Sequence, residues 1–141
     1  MRAWLIDGSN VVGSRPDGWW RDRGAAFARL VTRLATLAAR GDDVSVVFDG
    51  RPTDALPEGV HEGVEVLWAR RAGPDAADDR IVELVSAHPE PSGRSVVTSD
   101  RALAARVAGL GAPVVGAGAL LRLLDELEGR GPARPPRTDT G

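Results

Sequence analysis

The chain has 141 residues, with no cysteine, 18 basic residues that are all arginine, and 20 acids for a formal charge of −2. One domain of this length buries enough surface to fold without disulfides. Missing cysteine excludes thiol nucleophiles and cysteine zinc sites; missing lysine excludes a Walker A phosphate loop and Schiff-base chemistry.

The apolar runs Trp4–Ile6, Val44–Phe48, Val64–Trp68, Ser95–Thr98 and Val114–Val115 each have strand length. Their continuous apolar character predicts strands buried on both faces, as in a parallel sheet. Helices are predicted over Gly24–Arg40, Asp75–His88, Asp100–Leu110 and Gly118–Leu127 from apolar residues at helical spacing. Gly50–Gly63 joins two strands with no evident helix. Strands alternating with helices imply a doubly wound α/β domain over residues 1–128. Residues 129–141, with three prolines and three arginines, read as a disordered tail. The first apolar run stops at Asp7, so a signal peptide is not expected, and no run is long enough for a membrane helix. These features predict a cytoplasmic protein.

The acids fall at telling places. Asp7, Asp49 and Asp100 follow the first, second and fourth apolar runs, and Asp78 and Asp79 open the helix after the third. In a parallel sheet the strand carboxyl ends share one edge, where ligands bind. Four or five carboxylates converging there repel one another, and a divalent cation relieves the repulsion. Oxygen-only donors favour Mg²⁺ or Mn²⁺, the ions of phosphodiester hydrolysis. The competing reading makes each aspartate a helix cap or turn residue, most of all Asp75, placed to cap its helix. Asn10, the one asparagine, lies three residues after Asp7 and suits either a site or a turn. Thr98 and Ser99 offer hydroxyls at the same edge; strand-end capping is the better reading of Thr98.

Four segments, Leu5-Ile6-Asp7-Gly8-Ser9-Asn10, Val46-Val47-Phe48-Asp49-Gly50, Ala77-Asp78-Asp79-Arg80-Ile81 and Val96-Val97-Thr98-Ser99-Asp100-Arg101, together resemble the NYN-domain ribonucleases. The resemblance is to their YacP-like branch, within the PIN-like nuclease superfamily. It implies a three-layer α/β/α sandwich with parallel strand order 3-2-1-4-5, and RNA cleavage by a metal-activated water. Carried over by motif, Asp7, Asp49, Asp78 and Asp100 are the acidic ligands, with Asn10 beside them; Asp79 is the second acid of its pair, its share left open. Ser9 departs from the branch, which commonly has an aromatic there. Other acidic strand-end folds fit less well. A receiver domain needs a lysine, a haloacid-dehalogenase phosphatase needs an aspartate at position 9, and an integrin-type site needs a hydroxyl at position 11.

An acidic centre that handles RNA needs cations around it. Arg15, Arg21, Arg23, Arg51, Arg80 and Arg101 lie in or beside the segments leaving that edge, and Arg70 and Arg71 precede a helix. Trp19 and Trp20 sit among arginines in a long loop, suited to stacking on single-stranded bases or to pinning the loop. Trp4 and Trp68 read as core. The expected substrate contacts are Arg15, Trp19, Arg21, Arg51, Arg80, Ser99 and Arg101. Taking the five candidate site aspartates out of the formal charge leaves the remainder at +3. The alternatives are an RNA-binding adaptor, ribosome-associated or not, with a vestigial site, and a small-nucleotide phosphohydrolase.

Overall fold

A computed structural model describes residues 2–15, 18–69, 73 and 75–129. In chain order the elements are β1 (Ala3–Asp7), α1 (Gly8–Gly13), α2 (Arg23–Ala39), β2 (Asp43–Phe48), β3 (Gly59–His61), β4 (Val64–Trp68), α3 (Ala76–Ala87), β5 (Ser95–Val97), α4 (Arg101–Gly109), β6 (Val114–Val115) and α5 (Ala117–Gly129). They form one sheet of order β3-β4-β2-β1-β5-β6. The five predicted strands are all present, parallel and in the order 3-2-1-4-5. The expected tail, from residue 130 on, and Arg70 and Arg71 lie outside the described residues.

Two elements depart from the expectation. β3 lies inside the connection 50–63 and pairs antiparallel with β4, so the sheet has a sixth strand and is not wholly parallel. Its pairing is tight because the turn at Glu62-Gly63 adopts positive φ. Gly8–Gly13, for which no helix is predicted, is a short helix whose N-cap is Asp7.

Alternation along the strands builds two apolar layers. Trp4, Ile6, Val46, Phe48 and Trp68 face α1, α2 and α5. Leu5, Val47, Leu67 and Val96 face α3 and α4, meeting Ile81, Val85, Leu103 and Val107. The result is a three-layer sandwich. Trp4 and Trp68 are core residues, as expected. Phe27 of α2 stacks on Phe48 with centroids 4.3 Å apart, and Trp68 closes the trio at 5.3 Å from Phe48. Gly8 lets α1 lie close on β2: a Cβ there would come within 2.4 Å of the Phe48 ring and 2.7 Å of Val46. That approach sets the helix directly above the strand end carrying Asp7.

Candidate active site

Strand register places β1 and β2 side by side, with Asp7 opposite Val47. Asp7 ends β1 and is only 4% exposed. Its Oδ2 accepts the Thr98 hydroxyl at 3.0 Å, and its Oδ1 accepts the Asn10 backbone N–H at a long 3.4 Å. Burial pushes this carboxyl up to about 6. The Thr98 and Asn10 hydrogen bonds oppose the rise, and the negative charges of Asp78 and Asp100 add to it. Asp78, in the first turn of α3, is raised too, by burial and then by Asp100 and Asp75, with Arg106 pulling the other way. Asp7, Asp78 and Asp100 thus form one mutually repelling set.

Hydroxyl and amide groups tie the segments bearing these acids. Thr98 Oγ1 donates to Asp7 and accepts the Asp100 N–H at 3.1 Å, so one side chain links two of them. The Asn10 side-chain oxygen accepts the Ser99 N–H at 2.8 Å, and Ser99 Oγ accepts the Ala117 N–H at 2.9 Å. These bonds join α1, the β5–α4 turn and the start of α5. Asp100 also caps α4, accepting from Ala102 and Leu103. Cap and site are therefore compatible readings of this residue. Asp75 occupies the N-cap position of α3 but makes no side-chain cap bond. Asp79 is held by Arg106 at 3.2 Å across the α3–α4 interface.

Asp49 is engaged differently. Its Oδ1 accepts the Ser9 hydroxyl at 2.9 Å, and the same hydroxyl accepts the Asp49 N–H at 2.9 Å. Arg23, first residue of α2, forms an ion pair with that same oxygen. Gly50 follows at φ 92°, which turns the chain away from the strand. Ser9, the departure from the branch pattern, is thus the clamp on Asp49.

The expected substrate contacts scatter over the surface. Arg15 pairs with Asp125 at 3.1 Å. With Trp19, Arg29 and Arg33 it lines a cleft of about 140 Å³ between α1, α2 and α5. Trp19 meets Trp20 edge-to-face at 6.2 Å, and Arg21 lies 5.8 Å from the exposed Trp20 ring. Arg51 and Arg101 are exposed. The Ser99 hydroxyl is taken up by the Ala117 N–H. Arg80 is 9% exposed; its Nη1 donates to the Trp68 carbonyl at 2.7 Å and lies 3.5 Å from Glu58. It fastens α3 to the end of β4 from below the surface. Sequence spacing does not single out Arg106, whose partner Asp79 is 27 residues away, nor the Asp49–Arg23 pair, 26 apart.

The donors suit a hard cation: oxygen-only, with a buried carboxylate whose raised pKa marks unrelieved negative charge. Among the described residues no three Asp, Glu or His side chains are grouped as a cage for an ion. Mg²⁺ needs no such cage, since it binds through one or two carboxylates, water and substrate phosphate. The residues therefore fit the ion.

The YacP-like NYN domain model matches residues 4–134. The chain belongs to the YacP-like NYN domain family. This is a nuclease family. The structure is similar to that of Rae1 (YacP) from Bacillus subtilis, at 30% identity and TM-score 0.73, over 92% of this chain and 77% of that one. A mutant of the same protein aligns at 28% identity and TM-score 0.75, over 92% and 79%. No curated protein matches. The YacP-like fold accounts for the strand order. No helix among the described residues is long and apolar enough to cross a membrane.

Proposed function

We propose that this chain is a ribonuclease that hydrolyses phosphodiester bonds of single-stranded RNA with Mg²⁺ or Mn²⁺, acting in the cytoplasm. The observation that carries the proposal is Asp7, buried and raised to about 6 beside Asp78 and Asp100. A buried carboxylate kept under like-charge repulsion has no structural benefit of its own, and such groups cluster at functional sites. Family membership and the likeness to Rae1 (YacP) support the same reading.

Asp7, with Asp78 or Asp100, would hold the ion directly and the remaining carboxylate would reach it through water; when bound the ion supplies charge neutralisation at the phosphate and a more acidic water. Thr98 fixes the orientation of Asp7 and the position of the Asp100 backbone. Asn10 holds the Ser99 turn against α1. Arg106 keeps Asp79 turned to α4, which leaves Asp78 as the α3 acid of the cluster. The exposed Trp20 and Arg21, with Arg101, carry the stacking and phosphate-binding chemistry that an RNA strand needs.

The test is incubation of a mixed-sequence RNA oligonucleotide with Mg²⁺ or Mn²⁺. Cleavage is expected, stopping on addition of chelator, and Asp7→Asn or Asp100→Asn should each lower the rate by about a hundredfold or more. Mononucleotides should be left intact. Salt-sensitive RNA binding without turnover would instead indicate an RNA-binding adaptor.

A further inference from the structure

Arg80 is buried, yet its guanidinium is only partly engaged. Nη1 donates to the Trp68 carbonyl at 2.7 Å and faces Glu58 at 3.5 Å. Nε is fully buried and has no hydrogen-bond partner among the described residues. Nη2 makes no hydrogen bond among them either. An unpaired buried donor on a charged group is costly, and native proteins rarely keep one. The Nε–H and one Nη2–H point the same way along one side of the planar group, the side that grips two acceptors at once. One side of Arg80 therefore fastens α3 to β4, and the other is left for a ligand.

Arg80 is also a wall of a cleft of about 350 Å³, lined besides by Pro52, Glu58, Trp68 and Ala69. That volume is in the range of small-ligand pockets. The exposed Pro52, the half-buried Ala69 and the rim of Trp68 give it apolar walls. Trp68 ends β4 in register with Phe48 of β2, and Asp7 ends β1 in register with Val47, so the cleft lies at the same sheet edge as the acids. Two strand spacings, about 10 Å, separate β1 from β4. Arg80 lies two residues past Asp78 in α3 and so projects from the other side of the same helical turn.

Glu58 decides what the free side of Arg80 takes. Its carboxylate offsets the guanidinium charge, so the pair has no surplus positive charge for a phosphate. Oε1 accepts the Trp68 N–H at 3.0 Å, and Oε2 has no partner among the described residues. The cleft thus offers two parallel donors beside one free carboxylate oxygen. Guanine is the base that answers both, with the acceptors N7 and O6 on one edge and N–H donors on the next. Splayed bases of single-stranded RNA are read along these edges.

We propose that this cleft reads one guanine of the RNA strand, with Arg80 gripping N7 and O6 and Glu58 accepting from the base N–H groups. The proposal rests on the ribonuclease reading for its ligand and adds a base preference beside the site of cutting.

RNA affinity is measured in chelator by fluorescence anisotropy, with a short labelled oligouridine carrying one central guanosine. Adenosine in its place should weaken binding about tenfold. 7-Deazaguanosine, which lacks the N7 acceptor, should weaken it about fivefold, and inosine, which lacks the 2-amino donor, about threefold. Glu58→Ala should abolish the inosine penalty and keep the 7-deazaguanosine penalty, and Arg80→Met should do the reverse. Circular dichroism checks that both variants fold. The base analogues probe the same contacts on the native chain, so the test does not depend on Arg80→Met folding. The proposal is overturned if the native chain binds the guanosine, adenosine and 7-deazaguanosine oligonucleotides within about twofold of one another, or binds none of them. It is also overturned if Arg80→Met lowers the salt slope by about one and keeps every analogue penalty, the mark of a phosphate contact. Guanosine-selective binding with no cleavage in Mg²⁺ or Mn²⁺ would sink the ribonuclease reading alone. Cleavage with equal affinity for the oligonucleotides would sink the guanine assignment alone.

Discussion

Asp7 and Asp42 stand at opposite ends of one strand pair and are buried to nearly the same degree, at 4% and 8% exposed. Asp42, at the amino end, accepts from Trp4 Nε1 at 2.9 Å, from the Arg2 N–H at 3.1 Å and from Arg40 Nε at 2.9 Å. Burial alone would raise its pKa, but these hydrogen bonds outweigh it and hold the carboxyl below the ordinary value. Asp7, at the carboxyl end, has one good hydrogen bond and two like charges, and goes the other way. The same residue type is a brace at one edge of the sheet and a strained group at the other. What differs is the supply of donors, which is plentiful where the chain needs only stability.

The sharpest test of this contrast is stability without metal. A folded-state pKa of about 6 against an ordinary 3.8 means that ionised Asp7 opposes folding. The burden is full above pH 6 and absent below pH 3.8, where the group is protonated in both states. Asp7→Asn should therefore stabilise the metal-free protein by on the order of 2–3 kcal/mol at pH 8, with the gain vanishing below about pH 4. Urea unfolding at the two pH values checks this. A variant less stable than the native chain at pH 8 would break the contrast.

Asp42→Asn should do the opposite. One amide cannot satisfy every donor around it, so a loss of about 1–3 kcal/mol is expected at pH 7. The lowered pKa fixes the pH course: the stability from ionised Asp42 is present above 3.8 and fades as pH falls through the folded-state value. The deficit of the variant should shrink below that pH. The RNA cleavage rate per folded molecule should stay close to native, as Asp42 lies at the far edge from the acids.

Thr98→Val is the mildest change. It removes the donor to Asp7 and the acceptor for the Asp100 N–H, and should cost about 1 kcal/mol. It should also move the Asp7 titration, followed by carboxyl ¹³C NMR, further upward. An unmoved titration would mean that Thr98 does not tune Asp7.

Much of the acidic edge is legible in the amino-acid sequence alone. Asp7 and Asp100 follow apolar strands and Asp78 opens a helix, so topology carries them to one edge. Strand order among the parallel strands follows from the motif resemblance. The elements that escape a sequence reading are weak for physical reasons. Gly8–Gly13 contains two glycines, a serine, an asparagine and two β-branched valines, all poor helix formers, and is held by the Asp7 cap and burial of Val11. β3 is three residues long and only partly buried, so it lacks an alternating pattern. Side-chain commitments are the least legible. Nothing in the spacing says that Arg80 turns inward to Trp68, that Arg106 takes Asp79, or that Asp49 faces Arg23. Such pairings depend on how helices settle on the sheet.

The hairpin of β3 on β4 has a consequence for how the molecule meets its neighbours. At one margin the sheet ends on a three-residue antiparallel strand, and at the other on the two-residue β6. Neither offers a strand long enough to template pairing with another chain. Val60, 72% exposed on β3, is a lone apolar side chain there. Concentrated solutions should therefore resist the edge-to-edge stacking that open parallel sheets invite.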